Sequence, residues 1–303
     1  MRKGTLYILS CYVLWGLLPI YWKQLSSVDS IYVLASRILW SFVFCMIIIL
    51  YKKNLGKVAR VLKNKKQFTI LALAGVMVTI NWGLYIIAIH SGHILEGSLA
   101  YYMNPIMAIV IGYIVFKERL IAIQWISVLI AAIGVGYSIT AYGKVPVFAL
   151  AIGGSFAIYG ALKKKINCDS DIALFIETLA VLPIAILIMI WKTSSGSVNF
   201  EALTGFKILL LPLSGAITSI PLIFFAEGMK TTSLATSGIL MYVNPTLQLL
   251  VGVLIYGEEF TKANLITFVF VWLALILYLV SIIGRIRAVE SNLQNVQEEN
   301  INA

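Results

Sequence analysis

The chain has 303 residues, of which 60% are hydrophobic and 12% charged, and its net charge is +10. A soluble domain averages about 25% charged residues, so this composition excludes a water-covered globule and points to a chain surrounded by lipid. Three cysteines and two histidines in apolar or loop positions supply neither a disulfide framework nor a Cys/His metal spacing, so no metal and no cofactor is expected.

Apolar runs near the ~20 residues needed to cross a bilayer follow one another along the chain. Ten spans are predicted, at 4–22, 30–51, 68–90, 95–116, 121–141, 146–163, 171–191, 207–229, 234–256 and 263–283. Their length and continuity indicate helices, because barrel strands are ~10 residues of alternating polarity. The first span follows Arg2-Lys3 and holds Trp15 and Pro19. It is longer than a signal-peptide core, has no small-x-small cleavage site, and is read as retained. The basic run 52–66 lacks the interleaved aromatics of a nucleic-acid site. It reads as a cytoplasmic loop against anionic headgroups, which makes membrane lipid an expected partner and nucleic acid not one. The polar stretch 286–303 reads as a frayed helix or a disordered tail.

Two stretches repeat at one offset of 140 residues: Tyr102, Asn104-Pro105, Gly112 and Glu118 return as Tyr242, Asn244-Pro245, Gly252 and Glu258. At the same offset Arg37 aligns with Glu177, Tyr85 with Phe225 and Ala88 with Gly228. Earlier in the halves the register drifts, and Trp15-Gly16 resembles Tyr159-Gly160. This divides the chain into 1–141, 142–285 and the tail 286–303. Five spans per half is an odd number, so the second half must enter from the opposite side, giving an inverted repeat. With the N-terminus inside, 17 of the 23 Lys and Arg fall on the inner side, five fall outside, and Arg37 lies within a span. That bias places both termini in the cytoplasm. The exchanges of Lys117 for Gly257 and of Arg119 for Glu259 follow the same rule.

Proline has no N–H and displaces the carbonyl four residues back. Pro105 and Pro245 therefore free the carbonyls of Tyr101 and Met241 inside the membrane, and Asn104 and Asn244 add donors and acceptors beside them. The pair reads as two equivalent hinges on a cavity wall, against the plainer reading of packing kinks. Arg37 is a full charge about 10 Å into the second span at 1.5 Å per residue. It shares a helix face with Trp40, Ser41 and Phe44. A guanidinium beside an indole suits an amphipathic organic ligand with a carboxylate; snorkelling to the outer headgroups is the alternative. Glu177 lies about 9 Å from the inner end of the seventh span, too far in depth to pair with Arg37. It is either a proton-exchanging or cation-binding group or a hydrated carboxylate. Asn81, Trp82 and Tyr85 cover one face of the third span at mid-depth. Trp15 is mid-span, whereas Tyr21, Trp22 and Tyr159 are belt or cavity candidates. Glu227 reads as interfacial, Glu118 and Glu258 as caps, His90 and His93 as solvated loop residues. The spacings Ala108/Gly112 and Ala132/Gly136 allow close helix packing.

These residues carry a family resemblance. Trp15-Gly16 with Pro19 and Tyr21, and Ser36 to Ser41 (Ser-Arg-Ile-Leu-Trp-Ser), are similar to the RarD-like branch of the EamA drug/metabolite transporter superfamily. So are Leu95 to Leu99 with Tyr102 and Asn104-Pro105, Glu118-Arg119 and Gln124-Trp125. In the second half Phe156, Tyr159-Gly160, Glu177-Thr178, Leu182-Pro183, Pro221-Leu222 and Tyr242 with Pro245-Thr246 also fit. The chain departs from the pattern at His90, Ala100 and Asn244. The resemblance implies ten helices in two repeats and export of small metabolites or drugs across an inner membrane.

Together these features predict an all-α integral membrane protein with a small-molecule substrate, working by alternating access through a central cavity. A proton is the candidate coupling ion. The chain has no Walker motif, so ATP is not its direct drive. Two other classes stand beside this one. An intramembrane enzyme would need an activated constellation, and no HExxH or G-x-S-x-G is present. A sensor or scaffold would show a filled core where a transporter shows a cavity.

Overall fold

The computed structural model describes residues 2–91, 94–143, 145–198, 200, 205–257 and 262–302, and every element among them is helical. The helices are α1 (Arg2–Lys23), α2 (Ser30–Tyr51), α3 (Leu55–Lys63), α4 (Lys65–His90), α5 (Ile94–Phe116), α6 (Ala122–Tyr142), α7 (Val147–Lys164), α8 (Ser170–Ser194), α9 (Lys207–Met229), α10 (Leu234–Leu240), α11 (Val243–Tyr256) and α12 (Lys262–Asn302). Ten stretches among the described residues are long and apolar enough to cross a membrane, matching the ten predicted spans. His93, Glu258 and the side chains of His90 and Glu96 lie outside the described residues.

Two differences from the sequence expectation have local causes, and the tail takes the helical one of its two readings. The ninth span is two helices, α10 and α11, because Pro245 cannot supply an N–H to the carbonyl of Met241. That carbonyl instead accepts from the N–H of Asn244 at 2.9 Å. The run 52–66 contains α3, whose Val58 and Val61 are buried while Lys57 reaches Asp169 at 2.7 Å. It is thus an amphipathic helix and not an open loop. The stretch 286–302 continues α12 as helix.

Caps mark the element ends. Asp29 accepts from the N–H of Tyr32 at 2.9 Å at the start of α2, and Ser233 does the same for Thr236 at 3.0 Å at the start of α10. Gly257 ends α11 at φ 66°, and its repeat partner Lys117 follows α5 at φ 52°. Both positions are left-handed, which favours glycine. The two repeats thus share the left-handed turn, and the charge reason given above is what separates Lys from Gly.

By contacts the chain divides into two units: Met1–Glu118 with Lys144–Glu259, and Arg119–Gly143 with Phe260–Ala303. In the first unit α1 packs on α9 and α11, α2 on α8 and α9, α4 on α7 and α8, and α5 on α7 and α10. In the second, α6 packs on α12, with Ser138 and Thr267 hydroxyls 2.5 Å apart. The small residue used there is Gly134, where a Cβ would meet Phe270; Gly136 of the predicted Ala132/Gly136 pair has open space around it. In the first unit the predicted Ala108/Gly112 pair is used, Ala108 against Gly238 and Gly112 against the N–H of Ala235.

The closest helix approaches are again 140 residues apart. A Cβ on Gly75 would collide with the backbone of Glu177, and one on Gly215 with the backbone of Trp40. Gly16 lies against the Asn244 carbonyl and Gly153 against the Asn104 backbone, so Gly16 pairs in role with Gly153 and not with Gly160. Overpacking of this kind costs about 1–3 kcal/mol. Gly75→Ala and Gly215→Ala should each lower the melting temperature in detergent. Gly83→Ala, with nothing within 4 Å of the new methyl, should leave it unchanged or raise it.

Candidate functional site

The predicted site residues lie in the first unit and form two charged nodes, an aromatic cluster and a sealed end.

The first node is Arg37 on α2. Its guanidinium carbon lies 3.5 Å from the ring centroid of Trp82 on α4 and 5.4 Å from that of Trp22 on α1. Tyr101 on α5 is in electrostatic range, and its ring meets Tyr85 on α4 at 5.7 Å. The Tyr101 hydroxyl is bonded to Gln248 on α11. The Nε and Nη2 groups of Arg37 are buried and no described residue accepts from them. A charge in hydrocarbon is costly unless paired, and here the described partners are π-faces alone. Trp40 and Ser41, expected on the same face, turn to α9: Ser41 donates to the Gly215 carbonyl at 3.3 Å.

Glu177 on α8 is the second node. Its carboxylate is fully buried, accepts from Lys163 Nζ at 2.5 Å and from the Tyr159 hydroxyl at 3.3 Å, and Lys163 is equally buried. Arg37 and Glu177 thus have separate partners. Glu177 is paired, with a lysine and a tyrosine as its partners. Lys163 was missed because it opens a Lys163-Lys164-Lys165 run at a span end, which reads as an inner-side charge cluster. Its flexible stem turns inward along α7 instead of out to the headgroups.

Between the nodes, Ser41, Gly75, Thr79, Trp82, Glu177, Thr178 and Thr218 line a void of about 10 Å³. That is the size of one water, so the space these residues enclose beside Glu177 is narrow in the state described. Beside it Trp15 packs on Phe156 at 5.5 Å and Phe225 at 6.0 Å, and Phe225 stacks on Tyr159 at 5.7 Å. Trp15 and Tyr159 are therefore members of a packed cluster. Asn81 ties α4 to α7 by donating to the Ile152 carbonyl at 2.6 Å and lying 3.2 Å from Ser155 Oγ.

The twin Asn-Pro stretches meet. The hydroxyl of Tyr242 donates to the carbonyl of its repeat partner Tyr102 at 3.1 Å. The Asn244 side-chain oxygen accepts from Gln248 at 2.9 Å, while the side-chain Oδ1 of Asn104 is buried without a partner. The two are not equivalent bends: Pro105 sits inside the continuous helix α5, and Pro245 follows the interruption between α10 and α11.

One end is sealed. Glu118, just past α5, accepts from the N–H groups of Leu234 and Ala235 at 2.7 and 2.9 Å, capping α10 from another helix. Lys164 pairs with Glu118 at 2.9 Å and donates to the Thr232 carbonyl at 3.0 Å. A helix N-terminus favours a carboxylate. Near the ends of α2 and α9, a separate cleft of about 750 Å³ is walled by Phe44, Ile47, Ile220 and Phe224, with Lys52, Asp171 and Glu227 at its charged end.

At the connections, the Lys57 ammonium beside Asp169 holds that carboxyl below its usual range. For Asp29 burial pushes upward, but Lys192 at 2.8 Å and the N–H of Tyr32 outweigh it and hold the carboxyl low. Depressed carboxyls contribute stability above the unfolded value of about 4 that is lost as pH falls through the folded one.

The Lys163–Glu177 pair gives a direct prediction. Removing one partner of a buried ion pair costs about 3–5 kcal/mol, while an apolar or neutral replacement of both is close to neutral. Lys163→Met should strongly lower the melting temperature, and adding Glu177→Gln should restore most of it. Thermal melts of the two variants in one detergent check this.

Comparison with known proteins places this geometry. Residues 2–140 match the EamA-like transporter family. An uncharacterized transporter of Bacillus subtilis, YojE, is 39% identical over 96% of this chain and 98% of its own length. An uncharacterized transporter of Vibrio cholerae is 38% identical over 91% and 92%. Protein RarD of Escherichia coli K12 is 32% identical over 93% and 95%. A solved crystal structure, 14% identical, superimposes with a TM-score of 0.68 over 92% of this chain and 96% of its own, so the two share a fold.

Proposed function

Because the chain belongs to the RarD-like branch of the EamA transporter family and is a multi-pass membrane transporter, we propose that it exports a small organic solute across the cell membrane. Two inverted repeats, 1–141 and 142–285, would work by alternating access, with both termini cytoplasmic. The helix contacts support the repeat. Exchanging the first five spans with the last five turns α1 on α9 into α7 on α4, α1 on α11 into α7 on α5, and α2 on α9 into α8 on α4. The pairs α2 with α8, and α5 with the ninth span, map onto themselves.

The observation that carries the reading is where this symmetry fails. Contact between α5 and the ninth span is concentrated on α10, at the Glu118 end, and is minor on α11. A symmetric inverted repeat that closes one end and not the other is in one of two end states, and exchanging the roles of the repeats gives the second. The closed end carries Lys164 and Lys165 and lies on the side that the positive-inside rule assigns to the cytoplasm. The state described is then closed towards the cytoplasm, with Arg37 towards the opposite side. A narrow centre would also suit a scaffold, but a scaffold gives no reason for one end of a repeat to close without the other.

Reconstituted protein should give saturable solute counterflow in proteoliposomes. Glu118→Ala removes the cap of α10, which is worth about 1–2 kcal/mol. That loss should shift the closure equilibrium roughly tenfold and reduce flux comparably while the sample stays monodisperse. Folded protein that moves no member of a broad solute panel contradicts the proposal.

A further inference from the structure

Arg37 is the one described site where a full charge inside the membrane has donors and no acceptor. Its Nε–H and Nη2–H are buried and orphaned, which is expensive unless something else supplies an anion. The groups that meet it are rings, Trp22, Trp82 and Tyr101, and Tyr101 in turn meets Tyr85 and Gln248. The nearest described outer carboxylate, Asp29, is already held by Lys192. The orphaned edge therefore suits an acceptor with two oxygens, because a planar guanidinium offers parallel N–H groups that match a carboxylate bidentately. The rings add a flat apolar wall for the remainder of the molecule.

Resting on the transport reading, we infer that the solute taken at Arg37 is an aromatic carboxylate without a compensating ammonium group. Its carboxylate binds the unpartnered guanidinium edge and its ring lies among Trp22, Trp82 and Tyr85. An amino acid is a poorer fit, because among the described residues no free carboxylate stands near Arg37 to receive its ammonium. An organic cation is excluded more strongly by the guanidinium itself. The two donors are out of contact with solvent here, so binding has to displace a ring that covers them. Occlusion of the site around its ligand follows from the same geometry.

The test is binding by thermal shift and calorimetry on the purified full-length protein, with benzoate, phenylalanine and benzylamine as probes. Benzoate should stabilise the wild type and the two amines should not. Loss of a charge-assisted pair should weaken benzoate about tenfold to a hundredfold in Arg37→Gln. Arg37→Lys, which keeps the charge and loses the fork, should weaken it too. Should Arg37→Gln fail to fold, Trp22→Ala provides the second reading: weaker benzoate binding with Arg37 intact. Benzoate affinity that is unchanged in Arg37→Lys and Trp22→Ala overturns the inference, as does phenylalanine or benzylamine binding as tightly as benzoate. Flux of some other solute without benzoate binding would remove the carboxylate assignment and leave the transporter reading standing. Benzoate binding that depends on Arg37 but is never followed by flux would do the reverse.

Discussion

A polar group in hydrocarbon has no water to fall back on, and the arrangement of the first unit follows from where each such group finds its partner. The Met241 carbonyl, released by Pro245, turns to the N–H of Asn244 and breaks the ninth span into two helices. Glu177 draws in Lys163 from a span end and takes a tyrosine hydroxyl as well. Glu118 uses the free N–H groups that open α10, and so joins three helices at one end of the unit. Arg37 is left with aromatic faces among the described residues, and it sits towards the other end.

These solutions are unequal at positions that the repeat makes equivalent. Asn104-Pro105 lies in an unbroken helix and Asn244-Pro245 beside a break. Tyr242 donates to Tyr102, so a hydrogen bond spans the two repeats at the point where they meet. The glycines at 75 and 215 keep the flanking contacts close in both copies. Packed backbones of that kind move as bodies more readily than they deform.

Much of this was legible from residue types alone. Ten spans, the 140-residue repeat and the capping role of Glu118 come from length, spacing and charge, all of which are local. What escaped the sequence depends on reach and on partners. Lys163 belongs by position to a cytoplasmic cluster, and only its side-chain direction makes it Glu177's counter-ion. Trp40 and Ser41 share a helix face with Arg37 by periodicity, but α2 is packed on different sides by α9 and by α8, so the face is divided. Ser41, Thr79 and Thr218 line a space the size of one water, a volume that residue types alone do not fix.

The central claim is that the packed contact between α5 and α10 opens and closes. Pulsed electron resonance between labels at Val115 and Thr231 in nanodiscs measures that contact directly. Alternating access predicts two distance populations, with the shorter one matching the state described here and transported solute shifting their ratio. A single short distance, unchanged by any solute that the protein binds and unchanged by Glu118→Ala, would contradict it.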